Sequence, residues 1–208
     1  GTLSAVDQFE SQALNLLTSD AAKDAFDLDR ESPATRDRYG RHSWGQQCLM
    51  ARRLVEAGVG FVTISVPGGV KGMDAPGWDD HAVNAHIFQV LRARALNFDR
   101  CVTALIEDIF DRGLDRRVMV IVTGEFGRTP RVNTQVGTAS KVPQPGRDHW
   151  PSAMSILFAG GGIAGGQVIG STNKNGEYPQ ERPLGVQDFL ATIYCHLGID
   201  AANIQLPD

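Results

Sequence analysis

Three short polar clusters interrupt an otherwise apolar framework: GWDDH at 77–81, TGEFGRTP at 123–130 and GRDHW at 146–150. They carry Asp79, His81, Glu125 and His149. That mixture of carboxylate oxygen and imidazole nitrogen is what zinc binds at about 2.0 to 2.2 Å, usually from several loops. Arg128, close behind Glu125, adds a planar fork of N–H donors matched to an oxyanion. These residue types predict a metal centre with an anion anchor beside it.

Each residue also has a plainer reading. Asp79 or Asp80 would cap the helix that follows, an arrangement worth about 1 kcal/mol, and His81 would be a surface histidine of its first turn. Glu125 and Arg128 would close a tight turn as a salt bridge. Asp148 would orient the His149 ring, as carboxylates behind metal ligands do, or bond only its own loop. Thr123 and Thr129 flank Glu125 as conceivable nucleophiles, but there is no G-x-S-x-G elbow, and Thr129 before Pro130 suits a turn. His86 lies off the His81 face, no H-E-x-x-H occurs, and His42 and His196 read as structural.

The elements that must position these clusters follow from periodicity. Ser4 to Leu17 has helical spacing, and Asp20 would cap a short helix through Phe26. The polar stretch Asp27 to Gly40, with Pro33, reads as a loop; His42 to Ala57 reads as a helix stopped by Gly58. VGFVTISV at 59–66 has strand composition and is ended by Pro67, Gly68 and Gly69. A long helix is expected from near Ala82 to near Gly113, about 45 Å at the standard rise. RRVMVIVTG at 116–124 and SAMSILFAGG at 152–161 are further strands, the first apolar enough to be covered on both faces. A helix between strands 59–66 and 116–124 predicts a parallel, right-handed crossover and an α/β class.

Ligands of such sheets gather beyond the carboxyl ends of the strands. His149 precedes the 152–161 strand, so it reaches that end only if the 124–151 loop folds back or the strand is antiparallel. A polar loop at 171–185 and a helix from Gln187 to Leu197 complete the chain. GGGIAG at 160–165 matches G-x-G-x-x-G after a strand. The turn residues that follow Gly166 cannot supply the helix that would hold a pyrophosphate, so a glycine-rich turn is expected.

Composition narrows the function classes. With 208 residues and 42% hydrophobic content the chain can bury a core. A net charge of -4, without any run of Lys or Arg, gives no electrostatic footprint for nucleic acid or an anionic membrane. No stretch approaches the roughly 18 to 20 consecutive apolar residues of a membrane span, and the first residues lack signal-peptide order. Cys48, Cys101 and Cys195 have no C-x-x-C spacing and are expected as core thiols.

GWDDH, VTGEFGRTPRVN, GRDHWP and AGGGIAGGQVIGST, spread in this order over roughly residues 40 to 200, resemble the bacterial domain-of-unknown-function family 1501, a sulfatase-like branch of the alkaline phosphatase superfamily. The resemblance implies a three-layer α/β fold, a mostly parallel sheet flanked by helices. In it, residues 1–208 would be a single domain, the C-terminal part of a larger sulfatase-like one that is incomplete at the N-terminus, with 1–40 a helical and loop lead-in. It also implies a two-metal hydrolase. Asp79, His81 and His149 match the ligands of one metal; at the second, Glu125 stands for an Asp while Phe126 occupies a His position and cannot bind. The strand and nucleophile loop that complete such a site have no counterpart in this chain.

The expected function is metal-dependent hydrolysis of phosphate or sulfate esters, inactive in this stretch alone, with zinc ahead of calcium or manganese, or with no metal held by this stretch alone. The alternative is a degenerate, noncatalytic binding or scaffold domain on the same fold. By the same resemblance the substrate is an anionic small-molecule or glycan ester and the partner is the N-terminal remainder of the same protein. The location implied is periplasmic or extracytoplasmic.

Overall fold

A computed structural model describes Ser11, Leu14 and residues 19–69 and 77–200. Apart from Ser11 and Leu14, the helix expected over Ser4 to Leu17 lies outside the described residues. The sequence reading treats 1–208 as one domain; by contacts the chain forms two compact units, Gly1–Trp78 with Phe88–Arg112, and Asp79–Ile87 with Gly113–Asp208.

The first unit is helical. Helix α1, Asp20–Phe26, starts one residue after its cap, because Ser19 Oγ, not Asp20, accepts from the Ala22 amide at 3.1 Å. The loop expected over Asp27 to Gly40 instead holds a 3-10 turn, Leu28–Arg30, and helix α2, Pro33–Tyr39. Local chemistry explains the difference: Ser32 caps the Thr35 amide, Pro33 sits in the first turn where its missing N–H costs nothing, and Gly40 at φ 95° ends the helix. Helix α3, Ser43–Glu56, is capped by the His42 ring and ends just before Gly58 at φ 97°.

Trp44, Cys48, Ala51 and Arg52 recur every three or four residues along the buried face of α3. Arg52, with a side chain 2% exposed, reaches Asp108 at 2.9 Å, Glu31 at 3.0 Å and Glu56 at 2.6 Å. Tyr39 donates to Asp108 Oδ2 at 2.8 Å. Cys48 and Cys101 are buried core thiols as expected, whereas Cys195, in the second unit, is exposed.

Residues 59–66 do not form the expected strand. Half-buried Val62, Ile64 and Val66 alternate with exposed Phe61, Thr63 and Ser65, so the side-chain period of two is there, but none of these residues is laddered. The parallel crossover expected of this segment is therefore not among the ladders described; every one of those is antiparallel. Buried Arg94 donates to the carbonyls of Gly68 and Gly77 and lies 4.9 Å from the Trp78 ring.

Helix α4 runs Ile87–Asp111 and so starts later than Ala82. His81 O accepts from the Asn84 and Ala85 amides in a single turn, which does not run on into the helix because the next two carbonyls are taken: Ala82 O accepts from Gln144 Nε2 at 2.9 Å and Val83 O from the Thr138 amide at 2.8 Å.

In the second unit, β1 (Met119–Val122) ladders with β6 (Leu157–Gly160). Their register sets Val122 opposite Leu157. The chain thus leaves β1 and enters β6 at the same end, and everything from 123 to 156 hangs there. This removes the difficulty over His149: the strand after it is antiparallel. Within that excursion β2 (Gly127–Arg128) pairs with β5 (His149–Trp150), and β3 (Asn133–Val136) with β4 (Pro143–Gly146).

Gly160, Gly161 and Gly162 all have positive φ, and the Gly161 and Gly162 amides donate to Val118 O and Asp115 O at 2.7 and 3.1 Å. Both carbonyls lie just ahead of β1, and no helix starts between Ile163 and Gly170, so the segment lacks the helix N-terminus that a pyrophosphate would need. The loop expected at 171–185 contains a hairpin, β7 (Ser171–Thr172) with β8 (Pro179–Glu181), and helix α5 spans Val186–His196. No helix among the described residues is long and apolar enough to cross a membrane.

Candidate metal centre

The 79–81 loop is pinned from below by the strand that precedes His149. Arg147 donates its amide to Asp80 O at 3.0 Å. Gly146 packs so closely that a Cβ there would overlap the backbone of His81 and Ala82. A second close approach fixes β2, where a Cβ on Gly127 would overlap the Ala153 carbonyl. These two contacts explain the glycines of EFG and GRD: backbone meets backbone where a side chain would stand.

On that base the ladder of β2 with β5 sets Arg128 opposite His149. Directly opposed residues of an antiparallel pair project to the same face, and here both reach Asp79. His149 Nε2 lies 2.7 Å and Arg128 Nη2 2.8 Å from Asp79 Oδ1. His81 Nε2 stands 3.2 Å from His149 Nε2 and 3.8 Å from the same Asp79 oxygen. On its other side His81 Nδ1 meets Asp148 Oδ1 at 2.7 Å. Arg128, ahead of His149, holds the Asp79 carboxyl down to about 2, well below the ordinary carboxylate range.

Asp79, His81 and His149 thus offer one ligand atom each, all within 4.8 Å of one another. The donor set can be tested against the cation it suggests. Bonds of about 2.0 to 2.1 Å at a tetrahedral zinc put neighbouring ligand atoms roughly 3.3 to 3.4 Å apart. The three separations here, 2.7, 3.2 and 3.8 Å, bracket that edge. Side-chain exposures of 59%, 24% and 43% for Asp79, His81 and His149 leave the group open to solvent, so a cation and a ligand can both arrive.

Other expected residues fall differently. Glu125 is exposed and outside the group, and the guanidinium of Arg128 bonds Asp79 rather than forming the Glu125 salt bridge of the plainer reading. Phe126 packs its ring 4.3 Å from that of His149. No second metal-ligating group occurs among the described residues. Asp148 supports His81, not His149, and buried Asp80 lies too far ahead of Ile87 to cap α4. Thr129 shapes its turn: its Oγ1 accepts from the Asp148 amide at 3.1 Å and donates to Arg131 O at 3.0 Å.

Two residues had no signal in sequence. Arg147 braces β2 by donating to the carbonyls of Arg128 and Thr129, and Asn133 donates to Asp148 Oδ2 at 2.6 Å. Both are ordinary polar residues of short strands and turns, and only the fold brings them to the cluster.

Over residues 1–206 the chain matches the family described as "Protein of unknown function (DUF1501)", and it belongs to that family. Searches of curated proteins and of solved structures found no match.

Proposed function

We propose that this member of the DUF1501 family binds a divalent cation, zinc ahead of calcium or manganese, through Asp79, His81 and His149. In this reading it uses the cation on phosphate or sulfate esters, on a sulfatase-like, alkaline-phosphatase-like scaffold. The observation that carries the reading is the convergence of one carboxylate oxygen and two imidazole nitrogens from two separate loops, at separations suited to a tetrahedral ion. Three protein ligands with an open side are the pattern of reactive rather than purely structural zinc sites. A cation there would polarise an ester oxygen and lower the pKa of a water or hydroxyl nucleophile.

The chain's own groups do the rest. Arg128 keeps Asp79 ionised and sets a fixed positive charge beside it, where the nonbridging oxygens of an ester would lie. Asp148 holds the His81 ring. Glu125, exposed nearby in sequence, has no assigned part.

A second reading, a noncatalytic binding or scaffold domain, is favoured by the Asp79–Arg128 ion pair and by Phe126 lying against His149. Titrating orthophosphate and sulfate into zinc-loaded protein separates the two. The hydrolase reading expects zinc-dependent oxyanion binding, lost in His149→Ala and weakened about tenfold in Arg128→Ala, one charge-assisted contact being worth about 1.5 kcal/mol. Zinc-loaded protein that binds neither oxyanion would leave the scaffold reading standing.

A further inference from the structure

We propose that Asn133 is a positioning residue for this centre: through Asp148 it fixes the His81 ring with the proton on Nδ1 and the Nε2 lone pair turned toward Asp79 and His149. The inference rests on the metal-binding reading above, but its first readout does not need a metal.

The chain of contacts runs in one direction. Asn133 Nδ2 donates to Asp148 Oδ2 at 2.6 Å, and the other oxygen of that carboxylate lies 2.7 Å from His81 Nδ1. An ionised carboxylate only accepts, so both neighbours must donate. For Asn133 that requires the amide nitrogen, not its oxygen, to face Asp148. For His81 it requires Nδ1–H, which in a neutral ring leaves Nε2 as a bare acceptor. That Nε2 is the atom 3.2 Å from His149 Nε2 and 3.8 Å from Asp79 Oδ1. The ring could not ligate with this nitrogen in the opposite tautomer.

Asp148 is unusually well fixed for a loop carboxylate. The Thr129 amide donates to its carbonyl at 2.9 Å and Thr129 Oγ1 accepts from its amide at 3.1 Å, so the backbone cannot shift. What remains free is rotation of the carboxylate about its own side-chain bonds, and Asn133 restrains it from the side opposite His81. The register of β3 on β4, with Asn133 opposite Gly146, brings the amide to this place from a strand that contributes no ligand. A partner behind a ligating imidazole commonly sets metal affinity by about 10- to 100-fold.

The test compares Asn133→Ala and the similarly sized, uncharged Asn133→Leu with wild type. Nitrogen-15 correlation spectra of metal-free protein, taken near pH 8 where histidine is largely neutral, report which His81 nitrogen carries the proton. Wild type is expected to show Nδ1–H, and both variants a mixture of tautomers. Zinc affinity by competition with a chromophoric chelator is expected to fall about 10- to 100-fold in both, with the melting temperature of metal-free Asn133→Leu near that of wild type. Since Leu has nearly the size of Asn, adds no charge and lacks the donor, a purely packing role predicts normal affinity for that variant. The proposal is overturned if wild-type His81 carries its proton on Nε2, or if both variants keep the wild-type tautomer. Should wild type bind no zinc while the tautomers change as expected, the metal reading fails and the positioning role stands.

Discussion

At the scale of single residues the centre is held by charge as much as by shape. Asp79 takes a hydrogen bond from Arg128 and a contact from His149 on one oxygen, and its carboxyl is held down to about 2. A carboxyl depressed below its unfolded value of 3.8 adds stability that is fully present above that value and is lost as pH falls toward 2. Wild type and Asp79→Asn should therefore differ by a constant amount in urea midpoint above about pH 5, and the difference should close as the buffer is taken down to acid. A difference unchanged at low pH would mean the ion pair with Arg128 contributes nothing. The carboxylate–imidazole mixture was legible in the sequence because few other uses need Asp, His and His so placed. Which acid serves which ring was not, since Asp148 lies next to His149 in the chain and supports His81 in space.

At the scale of elements, two glycines and one antiparallel ladder make the site. Gly146→Ala would force a methyl group into the His81 and Ala82 backbone, and Gly127→Ala into the Ala153 carbonyl. Each should cost about 3 kcal/mol or prevent folding, measured as the loss in urea midpoint, while Gly165→Ala, with open space around it, should change little. In the helical unit Tyr39→Phe should cost about 1 to 2 kcal/mol by stranding part of the Asp108 carboxylate. Arg52→Ala should cost about 3 to 5 kcal/mol, because Glu31 and Asp108 would keep their charges without their shared partner. Neither change should alter zinc binding in the other unit.

The extents of Asp20–Phe26 and Ser43–Glu56 were read well, although the cap of the first is Ser19 and not Asp20. Pro33–Tyr39 was missed because a Pro in the first turn looks like a breaker, and the start of α4 was misplaced because the carbonyls of residues 82 and 83 are claimed by groups distant in sequence. Strand pairing was less legible. Residues 59–66 have the composition and the alternation of a strand, but a ladder needs a partner, and composition does not name one.

At the scale of the molecule, the three proposed ligands all belong to one of the two compact units, although Asp79 and His81 are separated from His149 by the whole of α4 in sequence. A cation bound there should raise the thermal stability of that unit through mass action. With free zinc about a hundredfold above its dissociation constant the gain is about 2.7 kcal/mol, or roughly 5 to 10 °C for a chain of this size. His81→Ala should melt at a temperature indifferent to zinc. The most direct test of the whole account is equilibrium dialysis against zinc followed by X-ray absorption at the zinc edge, for wild type and for the Asp79→Ala, His149→Ala double variant. One zinc per chain, with a shell of two nitrogens and at least one oxygen that disappears in the double variant, is the predicted result. Wild type that retains no zinc, or a double variant that retains it with the same shell, would contradict the account.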